Sequence, residues 1–257
     1  MERYTVLTFI CGDYEKVHEI VEKSPNADYI LVTDNPNLKS ETWEVIYDPN
    51  LTGTPLHNFL YVRWHPWEYT KNDIVVRVDG SIQPLLSFDP IVETMLKENK
   101  EQAYLCHPAR QTLWEEYNTW VGARNYPQEQ AIKCLQFYQR VEGYPLDYKG
   151  LVEMCFFIQK RTQSTRAFNN MVWGLCLYLA PADCDVDRLD QTIASFVLNK
   201  YFPNVPTMFI YENLVFSNFM QWYAHNSDTP IKGSILDFKT PYMYNQICYP
   251  KVVEDFA

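Results

Sequence analysis

Residues 74–82 read Ile74-Val75-Val76-Arg77-Val78-Asp79-Gly80-Ser81-Ile82, and they constrain the fold more than any other stretch of the chain. Four of the five residues at 74–78 are apolar and β-branched, the composition of a strand buried on both faces. Such strands belong to α/β sheets covered by helices, and in open α/β sheets ligands bind outside the carboxyl ends of the strands. The run closes on an acid and a glycine. Asp79 is therefore placed either to hold a metal, a metal-bound phosphate or a sugar hydroxyl, or to open an Asp-Gly turn.

The flanking sequence extends this reading. Residues 4–11 (YTVLTFIC) form a second strand candidate, broken by Gly12-Asp13, and residues 14–23 are expected to be helical. Residues 28–33 (DYILVT) and 43–47 (WEVIY) read as strands. Strand, helix, strand predicts a βαβ unit and a partly parallel sheet. Residues 56–67 are expected to be helical with an interruption at Pro66, and residues 90–97 helical with Asp89 as N-cap and Pro90 at the first position. Residues 102–107 (QAYLCH) return to strand. Further helices are expected at 112–120, 128–141, 166–179 and 187–201, and a strand at 154–159. In the helix at 128–141, Ile132, Leu135, Tyr138 and Val141 fall on adjacent turns. From Pro203 the chain is aromatic and irregular. With no internal repeat, low-complexity tract or clear linker, one α/β domain is expected, its second half adding helices and a small sheet that complete a pocket.

Composition narrows the function classes. A hydrophobic content of 47% in 257 residues fills a large core and excludes a disordered chain. A formal charge of −10 without a basic stripe argues against a nucleic-acid partner, while a local pocket can still be basic. No apolar run is long enough to cross a bilayer, residues 171–180 being the best candidate. The N-terminus enters a strand without the segments of a signal peptide, so a cytoplasmic protein is expected. The seven cysteines are scattered, without a Cys-x-x-Cys pair, and are expected to be reduced. Glycine-rich phosphate loops and a Gly-x-Ser-x-Gly elbow are absent from the sequence.

Several side chains carry chemistry by type and position. Asp34, at the end of residues 28–33, either grips a base or ribose hydroxyl or is a turn acid before Asn35-Pro36. Arg110 could pair with a phosphate bidentately and His107 could ligate a metal or bond a sugar hydroxyl, or both are solvated residues at element ends. Glu153 is either a general base or sugar-hydroxyl acceptor or a surface glutamate. Asp187 and Asp190 open a helix as cap and dipole acids, or Asp190 and Gln191 lie beside a sugar.

Taken in order, these pieces resemble a known family, the glycosyltransferase-like domain of unknown-function type found in bacteria and in plant mucilage-related proteins. The resemblance covers residues 4–201. It rests on YTVLTFICGDY, on Tyr29 to Asp34, on Trp43-Glu44-Val45 and Val78-Asp79-Gly80-Ser81-Ile82, and on His107-Pro108-Ala109-Arg110 with Glu115-Glu116. It continues through Tyr138, Glu142-Gly143-Tyr144-Pro145, Gly150-Leu151-Val152-Glu153 and Asp190-Gln191. The family usually has a lysine in the helix before the Asp79 strand, where this chain has Arg63. Enzymes of the GT-A architecture usually carry Asp-x-Asp at that strand end, where this chain has Arg77-Val78-Asp79. Asp190-Gln191 is similar to the Asp-Gln-Asp element of retaining galactosyltransferases, with Thr192 in place of the second acid.

The resemblance implies a single GT-A-like, Rossmann-like α/β domain over residues 1–257, with a mixed, mainly parallel central sheet flanked by helices. Residues 1–110 would be the nucleotide-sugar-binding half and residues 111–257 the acceptor-side half with the C-terminal tail. It implies a hexosyl-type glycosyltransferase moving a sugar from a nucleotide-diphosphate sugar, a UDP-sugar first, to a glycan or lipid-linked glycan in surface polysaccharide synthesis. A lipid-linked acceptor would bring the protein to the inner face of the membrane without a spanning segment. Thr8, Cys11 and Asp34 would line the nucleotide end. Asp79, with Gly80 and Ser81, would sit at the diphosphate, directly or through Mg²⁺ or Mn²⁺, and Arg63 and Arg110 would meet phosphate charge. His107, Glu153, Asp190 and Gln191 would face the sugars, with Asp190, Gln191 and Glu153 the catalytic candidates. An inverting enzyme needs a base, for which Asp190 and Glu153 compete, and a retaining one does not need it there; both routes stay open. The alternative is a GT-A-like protein that binds nucleotide, sugar or a partner without transfer activity, supported by Arg77 in place of the first motif acid.

Overall fold

Two strands buried along their whole length, β1 (Tyr4–Ile10) and β4 (Ile74–Val78), lie side by side at the centre of the molecule. They run parallel, with Tyr4 beside Ile74 and Leu7 beside Arg77. The computed structural model describes residues 1–123, 128–179, 189–210, 219–225 and 227–230, without the side chains of 120–123, 128–131 and 189. Among the described residues, β2 (Ala27–Thr33), β3 (Glu44–Tyr47), β6 (Gln102–Cys106), β7 (Val152–Lys160) and β8 (Thr207–Ile210) complete a seven-stranded sheet in the order β3-β2-β1-β4-β7-β6-β8. β7 is antiparallel to both β4 and β6, and the remaining pairs are parallel. The expected α/β class with a mixed, mainly parallel sheet is therefore the observed one.

Helices cover both faces. α1 (Pro55–Trp64), α5 (Gln163–Leu179) and α6 (Leu189–Tyr201) bury Trp64, Phe168, Val172 and Phe196 with Tyr104 and Phe157 of the sheet. On the other face α2 (Asp89–Lys97) buries Val92 and Met95 with Val76, Val78 and Phe156. α3 (Leu113–Ala123) and α4 (Gln128–Gln136) follow β6. β5 (Ile82–Pro84) leaves the main sheet and pairs antiparallel with β9 (Met220–Trp222). Among the described residues no helix is long and apolar enough to cross a membrane.

Four expectations are corrected. Residues 14–23 are irregular, not helical. Their backbone groups find tertiary partners instead: Ile20 N donates to Thr42 Oγ1 at 2.9 Å, Val21 N to Pro84 O at 3.1 Å, and the His18 carbonyl accepts from Trp43 Nε1 at 3.0 Å. Asp89 does not cap α2. Its carboxylate accepts from Tyr4 Oη at 2.7 Å, Ser24 Oγ at 2.7 Å and Asn26 Nδ2 at 3.1 Å, and Phe88 holds the cap position. The helix after residue 128 passes into a π turn over Phe137–Val141, with Glu142 N donating to Phe137 O. The extra residue shifts the phase, so Tyr138 is buried and Val141 is exposed. Finally, Cys106 is disulfide-bonded, whereas Cys11, Cys134, Cys155 and Cys176 are buried free thiols. Cys184, Cys248, Asp187 and Arg188 lie outside the described residues.

The turn leaving β1 depends on Gly12, at φ 64°, where a Cβ would stand 2.3 Å from Pro55 Cγ. Gly12→Ala combines left-handed strain with overpacking and is expected to destabilise the protein by about 2 kcal/mol or more. Chemical denaturation measures this, and an unchanged midpoint would contradict the assigned backbone.

Candidate functional site

The strand order turns about β1 and β4: β2 follows on one side of β1 and β4 lies on the other. This is a topological switch point, and the crevice outside the carboxyl ends of β1 and β4 is where an α/β sheet receives ligands. Gly80 makes the crevice possible, since a Cβ there would meet the Phe9 carbonyl oxygen at 2.9 Å. The antiparallel run of β7 brings its first residues to the same edge. Asp79 N donates to Cys155 O at 2.9 Å, and Cys106 pairs with Val152. Asp79, Glu153 and His107 therefore gather from three strands at one edge.

Arg63, in the last turn of α1 and 3% exposed, crosses the crevice. Its two terminal nitrogens bind Asp79 and Asp190, the latter in the first turn of α6. The guanidinium also lies 4.2 Å from the Phe59 ring centroid, a cation–π contact. The two carboxylates raise the Arg63 pKa against the opposing effect of burial, so it is permanently charged. Burial pushes the Asp79 carboxyl up, Arg63 opposes this, and the Asp190 charge adds to it.

Beneath Arg63 lies Arg77, which occupies the same face of β4 as Asp79. It donates to the main-chain carbonyl of Arg63 at 2.9 Å and to the side chain of Gln159. It also stacks 4.3 Å from the Phe157 ring centroid. Burial, with the neighbouring Arg63, lowers its pKa to about 9, which still leaves it protonated at neutral pH.

A second cluster adjoins the first. His107 Nδ1 accepts from the backbone amides of Ala109 at 3.2 Å and Arg110 at 2.9 Å. Its Nε2 lies 2.7 Å from Arg110 Nη2, which can only donate, and 3.3 Å from Glu153 Oε2. Burial and the Arg110 charge hold His107 well below its ordinary value, hence neutral. Arg110 pairs with buried Glu116, whose other oxygen accepts from Gln191 Nε2 at 3.1 Å. The Glu153 pKa is pushed up to about 7, first by burial and then by the charges of Glu116 and Asp79.

The predicted site residues divide accordingly. Arg63, Asp79 and Asp190 form one connected group, and His107, Arg110, Glu153 and Gln191 form a second beside it. Gln191 is fastened to Glu116 and to Met154 N. Asp34 accepts from Gly12 N and Asn58 Nδ2, both at 2.9 Å, and so fastens the β1 exit to α1. Cys11 is buried, and burial with the Asp34 charge pushes its thiol up to about 12. Thr8 is buried within β1 on the face opposite Phe9 and does not join the group. Ser81 is buried, its carbonyl accepting from Tyr223 N at 2.9 Å. Two participants have no sequence signal: buried Glu15, in the segment expected to be helical, and His225, in the tail, whose Nδ1 meets a Glu15 carboxylate oxygen. A Cβ on Gly80 would stand 3.3 Å from Glu15 Cγ, so that pair borders the crevice.

Asp79 and Asp190 each give an oxygen to Arg63, and no group of three or more His, Cys, Asp or Glu side chains among the described residues is arranged to hold a metal ion. Mg²⁺ and Mn²⁺ take several free oxygen donors, and Arg63 already holds one oxygen of each of these two acids. The sequence matches no family model and no curated protein.

A carboxyl whose folded-state pKa is raised binds extra protons in the native state. Its contribution is therefore greatest below its unfolded value and is lost as pH rises toward 7. Wild-type protein is expected to lose on the order of 3 kcal/mol relative to Glu153→Gln between about pH 4.5 and about pH 7.5. Parallel stability curves from denaturation across that range would show that Glu153 is not held in this environment.

Proposed function

We propose that the crevice at β1 and β4 binds a nucleotide-diphosphate sugar, UDP-sugar first, and that the protein is a GT-A-like glycosyltransferase acting on a glycan. The observation that carries this reading is the constellation at the switch point: a buried arginine held between Asp79 and Asp190, with an acid of near-neutral pKa beside it. Arg63 supplies positive charge where a leaving diphosphate gains negative charge. The surrounding carboxylates suit a hydroxyl-rich ligand, since each can accept from a sugar hydroxyl.

Of the two competing bases, Glu153 has the better chemistry. Asp190 is committed to Arg63, whereas Glu153 stands beside the neutral His107, and its pKa lies near the working pH. In this reading the acceptor oxygen attacks the anomeric carbon and its proton passes to Glu153. The bond from that carbon to the diphosphate oxygen breaks, and the nucleoside diphosphate leaves with the electron pair. This is the inverting course. Arg63 holds the diphosphate, and Asp34 would lie toward the nucleotide end. The reading keeps a glycan on a lipid carrier, met at the cytoplasmic membrane face, as the proposed acceptor.

The test is UDP release from a panel of UDP-sugars, together with calorimetric titration of UDP, GDP and CDP. UDP is expected to bind, and Glu153→Gln to lower release about a hundredfold while UDP affinity is retained, the usual scale of a lost general base. Absence of binding by all three nucleotides would overturn the donor-site reading and favour a protein of this architecture that acts without transfer.

A further inference from the structure

We infer that the diphosphate charge at this crevice is met by Arg63, held in position by Arg77, and that this arginine pair stands in place of a divalent cation. The inference rests on the donor-site reading above and deepens it.

Three observations carry it. A divalent ion at a strand-end acid needs carboxylate oxygens with free lone pairs. Here Arg63 occupies an oxygen of Asp79 and an oxygen of Asp190, placing a fixed positive charge where the ion would stand. Second, the side chain two residues before Asp79 on the same strand face is itself a cation, 1% exposed. Among the described residues Arg77 has a carbonyl, a glutamine and the Phe157 and Trp67 rings as partners, and no carboxylate among them. Its charge is thus not cancelled locally, in surroundings where charges act more strongly than in water. Third, the two arginines are mechanically joined. The Arg63 carbonyl lies in the last turn of α1, where helix carbonyls lack intrahelical donors. Arg77 supplies the donor at 2.9 Å, and a cation there is favoured by the helix dipole. Among the described residues the Nε atoms of both arginines are buried without a partner, a donor surplus that suits an anion.

A diphosphate competing for Arg63 meets donors already oriented, since Arg77 anchors the backbone from which Arg63 projects. Arg77 is in this sense a positioning residue: it reaches the ligand through Arg63.

The experiment is calorimetric titration of the full chain with UDP, GDP and CDP in EDTA and again in Mn²⁺, on wild type, Arg63→Met, Arg77→Met and Arg77→Lys. For the nucleotide that binds, the wild-type Kd is expected to agree within about twofold in the two buffers. Arg63→Met and Arg77→Met are each expected to weaken binding about tenfold or more, the scale of a charge-assisted hydrogen bond. Arg77→Lys is expected to recover part of that loss, because it restores the charge and one donor, and it reads out the same point if the methionine variant does not fold. Binding that requires Mn²⁺, or Kd values unmoved by the arginine substitutions, would overturn the inference and leave the donor site standing. No binding in either buffer would remove the donor-site reading itself.

Discussion

The buried Arg63 guanidinium, shared between Asp79 and Asp190, is the interaction on which the candidate site depends. It ties the last turn of α1 to the end of β4 and to the first turn of α6. A lone buried charge of this kind is strongly unfavourable, and so is either carboxylate once its partner is removed. The three groups therefore stabilise one another only as a set. Such a set is a weak source of net stability compared with apolar packing. Its contribution is geometric, because it specifies how two helices and a strand meet at the edge where the sheet opens.

A second constraint is the reversal of β7. Parallel strands alone would bring carboxyl ends to the crevice, as β1, β2 and β4 do with Cys11, Asp34 and Asp79. Inserting an antiparallel strand between β4 and β6 brings an amino end there as well, carrying Glu153 beside Asp79 and His107. That placement raises the Glu153 pKa, since burial and two neighbouring acid charges act on the same carboxyl. Neutral His107, its Nδ1 taken by backbone amides and its Nε2 by Arg110, stands beside Glu153 without neutralising it.

Much of the sheet was legible because its signals are local. Ile74–Val78 and Tyr4–Ile10 are strands by composition, and the acids at their ends were visible as candidates. Pro66 interrupts the helix beginning at Pro55 as proline chemistry requires. Legibility failed where distant groups took over backbone hydrogen bonding. Residues 14–23 have helix-compatible composition, yet Thr42, Trp43 and Pro84 claim their amides and carbonyls. Val141 changed faces because one π turn displaced the helical period. Asp89, apparently a cap, was taken by Tyr4, Ser24 and Asn26. In the site, Arg63 and Asp190 were candidates separately, but a pairing across 127 positions has no local signature.

The sequence by itself determined the α/β class, the main strands and the presence of acids at strand ends, because periodicity and β-branched composition act over a few residues. Tertiary structure alone decided which charges meet. Arg77 looks like a broken motif in the sequence and is a buried clamp on Arg63 in the fold. Glu153 looks like any glutamate until burial and the charges of Glu116 and Asp79 act on it. Charge pairing, desolvation and protonation depend on distances through space, and those distances exist only once the strands have taken their order in the sheet.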